Sequence, residues 1–182
     1  MNPHLIACVL GGTAPGAHTE LHDVAFAVGR QVDQVHQQLL DGWFGAPEGL
    51  HVDAWTVLDS IAGFRVRLQR RPADNGLQLY FVNIGGYRPG EFGERHAWGF
   101  FGAGSPSEAK AAARSSLLQG HASTHKDNLH RVDECIALAK VQRWHVCLQP
   151  DPSATAAKVT NGYFPIPAAT IANWRANRLP AG

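Results

Sequence analysis

Four short motifs carry the residue types best suited to chemistry: Glu20-x-His22, His51-x-Asp53, Glu94-x-His96 and His125-x-Asp127. Each sets an imidazole two residues from a carboxylate. On a strand, residues i and i+2 share a face, so each motif points both polar groups the same way. Should two such motifs meet, they gather two imidazoles and two carboxylates. That mixed nitrogen and oxygen set suits a first-row metal, or a base with its orienting acid. The candidate ligand-binding residues are therefore Glu20, His22, His51, Asp53, Glu94, His96, His125, Asp127 and Asn128, the last from the polar run HKDNLHR at 125–131. The spacing is not that of a zinc signature such as H-E-x-x-H, so no metal is assigned. Any metal would fall among His22, His51, His96 and His125. The competing reading is structural, since a carboxylate satisfying backbone N–H groups at a turn, with a histidine bridging loops, recurs equally in a repeated unit.

The remaining motifs say less. Gly11-Gly12-x-x-Pro15-Gly16 recurs as Gly85-Gly86-x-x-Pro89-Gly90. A glycine-rich turn can present N–H groups to phosphate, but phosphate loops lead into a helix, and here the next element reads as a strand. A turn that needs glycine dihedrals explains the pattern. No G-x-S-x-G occurs. Cys135 stands near His125 and His130 in sequence, yet only spatial geometry makes a nucleophile. Tyr87, Phe92, Trp98, Phe100 and Phe101 interleave with Arg88 and Arg95, a mixture found on base-stacking sheets. Without a basic excess, core and rim packing accounts for it.

These motifs sit inside an internal duplication. At an offset of 74, Leu5, Gly11, Gly12, Pro15, Gly16, Glu20, His22 and Phe26 fall on identical residues, eight matches within positions 5–29. Unrelated segments give roughly one or two. Without a gap, His51 falls on His125, Asp53 on Asp127 and Asp59 on Asp133; a gap of six near the end then lays GFRVRLQ (63–69) under RWHVCLQ (143–149).

One copy reads as follows. LIACVL is a buried strand ending at a Gly pair, and ELHDVAFAVG is a second strand. Residues 31–43 carry Val32, Val35, Leu39, Leu40 and Trp43 at helical spacing. WTVLDSI and FRVRLQ flank Ala62-Gly63 as a hairpin. The second copy repeats the order, with Ser105-Pro106-Ser107-Glu108 capping an alanine-rich helix over about 106–118.

The expected fold is α+β: two β-β-α-β-β repeats packed with pseudo-twofold symmetry, mostly antiparallel sheet with helices on one face. The expected division is a first unit at 1–69, a linker at 70–76, a second unit at 77–150 and an extension at 151–182. In the extension, Pro167 opens a short helix with Ile171 and Trp174 on one face.

Composition narrows the partners. Sixteen Lys and Arg against 15 Asp and Glu give a net charge of +1, which argues against a nucleic-acid partner. No apolar run reaches the length of a membrane helix, and the first residues read as a strand, not as a signal peptide. Cys8, Cys135 and Cys147 form no C-x-x-C pair, and an odd count fits a reducing, cytoplasmic setting.

The motifs GGYRPGEFGE-x-H, LHVDAW and HKDNLHRVDEC resemble the bacterial family known as domain of unknown function 1543, over most of residues 5–150. The resemblance implies a small α+β cytoplasmic protein. It implies no activity, substrate or cofactor, and no site residue is carried over from it.

Three functions remain open. The leading one is a non-enzymatic protein binding a small molecule or a protein through a polar cleft between the repeats. The alternatives are a metal-dependent hydrolase using the repeated Glu, His and Asp set, and an assembly protein forming a homodimer through the C-terminal extension. The second copy, with the richer HKDN segment, is the one expected to work if only one does.

Overall fold

The computed structural model describes residues 3–87, 90–117 and 130–178. The first copy supplies β1 (His4–Gly12), β2 (Leu21–Gly29), a 3-10 turn at Val32–Val35, α1 (His36–Gly42), β3 (His51–Val57), β4 (Ser60–Ile61) and β5 (Phe64–Gln69). The second supplies β6 (Gln78–Gly86), β7 (Arg95–Ala103), α2 (Pro106–Leu117), β8 (His130–Ala137), β9 (Lys140–Val141) and β10 (Trp144–Pro150). The extension adds β11 (Val159–Pro165) and α3 (Ala168–Ala176). The fold is α+β, and among the described residues every strand pairing is antiparallel.

The chain divides into two compact units, one of residues 1–59 with 157–182 and one of residues 60–156. In the first, the strand order is β11-β3-β1-β2. β1 is central, so its run of Leu5, Ile6, Ala7, Cys8 and Leu10 is buried on both faces. The apolar stripe at 32–43 does form a helical segment, although its first turn is 3-10. Val35, Leu39, Leu40 and Trp43 are buried from it. Gln38 fastens it to β2, its side chain bonding both the N–H and the carbonyl of Val28 at 2.9 Å. Ile6, Cys8, Leu10, Leu39, Val52 and Ile171 share one core, so α1 and α3 cover the same face of the sheet. The extension is thus part of this unit. β11 is stitched to β3, with Thr56 Oγ1 donating to the Lys158 carbonyl at 3.0 Å.

The second unit holds two sheets, β7-β6-β8 and β4-β5-β10-β9. α2 covers the first over Tyr80, Val82, Ile84, Ala109 and Ala113. Its cap differs slightly from the expected box. Ser105 Oγ accepts from the Glu108 N–H at 3.3 Å, but the Glu108 carboxylate reaches one residue further back, to the Gly104 N–H at 3.0 Å. The hairpin at Ala62-Gly63 is shorter than expected. Only Ser60 and Ile61 pair with β5, because the preceding residues of WTVLDSI belong to β3 in another sheet.

Ladder registers correct the alignment of the two copies. Gly11 faces His51, while Gly85 faces Arg131. The offset is therefore already 80 at β8, and the six extra residues enter before it instead of near the end. In backbone terms His51 corresponds to Arg131 and Asp53 to Asp133, not to His125 and Asp127. An ungapped comparison cannot see this, because hydrogen-bond register and not residue identity decides which positions correspond. The same offset makes Arg67 and Cys147 counterparts, and these two pair directly across β5 and β10. A local twofold axis therefore passes through that pair in the β4-β5-β10-β9 sheet.

Candidate functional site

Three neighbouring strands build the site around a missing side chain. Gly11 on β1 faces His22 on β2 and His51 on β3, so the three form one row across the sheet. Residues in a row point to the same face, here the one away from Leu10 and α1. Gly11 leaves the centre of that row open, and the His51 imidazole and the Asp53 carboxylate occupy the space. A Cβ at Gly11 would collide with His51 Nε2 and lie 2.7 Å from Asp53 Oδ2.

Asp53 arrives by a different route from the one simple alternation suggests. Leu10 faces Val52 and Val9 faces Ala54, which leaves Asp53 as the extra residue of a β-bulge. A bulge bends its strand and re-aims a side chain, here into the row. The second copy has the same bulge at Asp133.

The four polar groups converge. His51 Nε2 lies 2.9 Å from Glu20 Oε1 and 3.2 Å from Asp53 Oδ1. His22 Nε2 lies 3.2 Å from Asp53 Oδ2 and 3.9 Å from Glu20 Oε2. The His51 side chain is only 5% exposed, while those of His22 and Glu20 are 47% and 46% exposed, so the cluster runs from the interior to the surface. His51 Nδ1 sits 2.8 Å from the Gly49 carbonyl. A carbonyl only accepts, so Nδ1 carries the hydrogen and Nε2 is the nitrogen aimed at the carboxylates. Asp53 Oδ2 is enclosed and receives no hydrogen bond, although His22 Nε2 lies 3.2 Å from it.

Sequence reasoning missed two contributors. Gly11 was read as a turn glycine, whereas it lies within β1 and serves by having no side chain. Tyr163 of β11 packs its ring on His51 with centroids 4.4 Å apart. No local pattern marks Tyr163, since it arrives from the far end of the chain.

In the second copy, His96 lies 3.7 Å from Glu94. His125, Asp127 and Asn128 fall outside the described residues. Arg131 stands at the register position of His51, and among the described residues the full set assembles in the first copy. Burial pushes the Cys8 thiol up to about 12, and burial also raises that of Cys135 against the opposing pull of Lys110. No helix among the described residues is long and apolar enough to cross a membrane.

Both copies of the chain match one family model, the Domain of Unknown Function (DUF1543), over residues 17–68 and 91–148. The chain belongs to this family. Its fold is similar to the crystal structure of a protein Il1583 from Idiomarina loihiensis, at 31% identity and a TM-score of 0.71, over 92% of this chain and 99% of that one. Comparison with curated proteins gives no match.

Proposed function

We propose that this protein binds a small polar ligand, and that its site is the cluster of Glu20, His22, His51 and Asp53 in the first unit. One observation carries the reading: residues from a loop, two strands and a bulge meet over a glycine whose lack of a side chain makes their meeting possible. A purely structural network would satisfy its own members, whereas this one leaves a buried carboxylate oxygen without a donor and opens to solvent through His22 and Glu20. The site thus lies within one copy, which narrows the earlier expectation of a cleft. Three free thiols fit a reducing, cytoplasmic setting. The extension's strand and helix pack within the first unit.

The test is a titration with pools of polar metabolites, followed through the imidazole nitrogen resonances of His22 and His51. Ligand-dependent shifts of both, abolished in His51→Gln, are expected. Binding that His51→Gln leaves intact would place the ligand elsewhere and sink the reading.

A further inference from the structure

The ligand class can be taken further, on the reading just given. We propose that Glu20, His22, His51 and Asp53 bind one divalent first-row transition ion, with zinc the best match to their donor set.

Charge balance comes first. His51 Nδ1 is committed to the Gly49 carbonyl, so Nε2 is the ring nitrogen that faces Glu20 Oε1 and Asp53 Oδ1. Two carboxylates meet at this nitrogen, and a cation among them relieves their mutual repulsion. A proton on Nε2 can point at only one of the two oxygens, and it does nothing for Asp53 Oδ2. A dication neutralises both carboxylates and accepts both imidazoles at once.

Geometry comes second. Zinc bonds nitrogen and oxygen at about 2.0–2.2 Å in tetrahedral sites, which sets ligand atoms roughly 3.3–3.5 Å apart. The four nitrogen–oxygen separations run from 2.9 to 3.9 Å and bracket that spacing. Among the described residues, no three His, Cys, Asp or Glu side chains yet frame a common point as a finished metal site does. The quartet instead touches itself. Glu20 and His22 are about half exposed, so they are the members freest to move apart around an ion.

The surroundings are those of a ligand set. A backbone carbonyl on the far nitrogen of a histidine is the usual device that fixes its tautomer and ring orientation for a metal. Here Gly49 supplies it, Tyr163 holds the ring face, and Gly11 and the bulge at Asp53 clear and aim the centre.

The experiment uses the full chain without a histidine tag, stripped by chelator and titrated with zinc by calorimetry. One equivalent is expected. Affinity is expected to fall at least tenfold in His51→Gln and in Asp53→Asn, and to hold in His145→Gln, which alters a strand of the other unit. Imidazole nitrogen spectra of the wild-type protein decide the matter even where a variant fails to fold, because zinc must move the His22 and His51 resonances together. Absence of binding, equal binding by the variants, or shifts confined to other histidines would each overturn the metal. If metabolites then move His22 and His51 while zinc does not, the metal inference fails and the polar-ligand reading survives.

Discussion

Gly11 and His51 are direct partners across the β1–β3 ladder, and the space a Cβ would take at Gly11 is filled by His51 Nε2. The two positions are complementary. The imidazole reaches the centre of the row only because its partner stops at Cα, and the Asp53 carboxylate enters the same space.

Gly11→Ala tests that dependence. Gly11 is not among the positive-φ glycines, so the effect is steric and not conformational. The new methyl must displace a 5% exposed imidazole and an enclosed carboxylate oxygen. Overpacking of this kind costs about 1–3 kcal/mol. Chemical denaturation should show that loss, and imidazole spectra should show His51 displaced. A variant as stable as the parent, with His51 unmoved, would show that the site does not rest on this glycine.

The extension offers a second test. Ile171 of α3 is 8% exposed and packs in the core shared with Ile6, Leu10 and Leu39. Ile171→Ala should cost about 2–5 kcal/mol, as buried aliphatic truncations do. Truncation before β11 should cost more, since it also strips the partner strand from β3. Both are read from unfolding midpoints. A shortened chain that kept the parent midpoint and changed only its mass in light scattering would favour the dimer reading.

How much of this was legible in the sequence depends on the kind of interaction. Repetition exposed the polar set, because Glu20 and His22 recur at a constant offset beside the Gly pairs. Hydrophobic period placed β1, the 32–43 helix and α2, because burial acts residue by residue along one segment. The counterpart of His51 was misread, since a six-residue insertion before β8 left chance identities at His125 and Asp127, and only the ladder opposite Gly85 corrects them. Tyr163 was invisible, because strand pairing between β3 and β11 joins segments about a hundred residues apart, and no local rule reports such a contact.

Asp151 sets an acid limit on the second unit. The Ser153 hydroxyl, Arg65 Nε at 2.8 Å and the Ser153 N–H all bind its carboxylate, and they hold it down to about 2 from an ordinary 3.8. The unfolded chain therefore takes up the proton first as pH falls. The stabilisation is complete above about pH 4 and is lost as pH drops towards 2. Unfolding midpoints of the parent should decline across that window more steeply than those of Asp151→Asn. Parallel declines would show that other carboxylates govern the acid response.

The two copies differ at one register position of the site, and this gives the sharpest prediction. Gly85, Glu94, His96 and Asp133 occupy in the second copy the places of Gly11, Glu20, His22 and Asp53 in the first, including the bulge. Only Arg131 stands where His51 would be. A guanidinium carries a fixed positive charge and no lone pair, so arginine at this position cannot ligate a metal. Arg131→His removes that charge and supplies the missing nitrogen donor. Calorimetry of the variant should show zinc stoichiometry rising from one equivalent to two, with the second lost again in Arg131→His combined with His96→Gln. A variant that still binds a single equivalent would mean that the backbone correspondence does not extend to the side chains of the second copy.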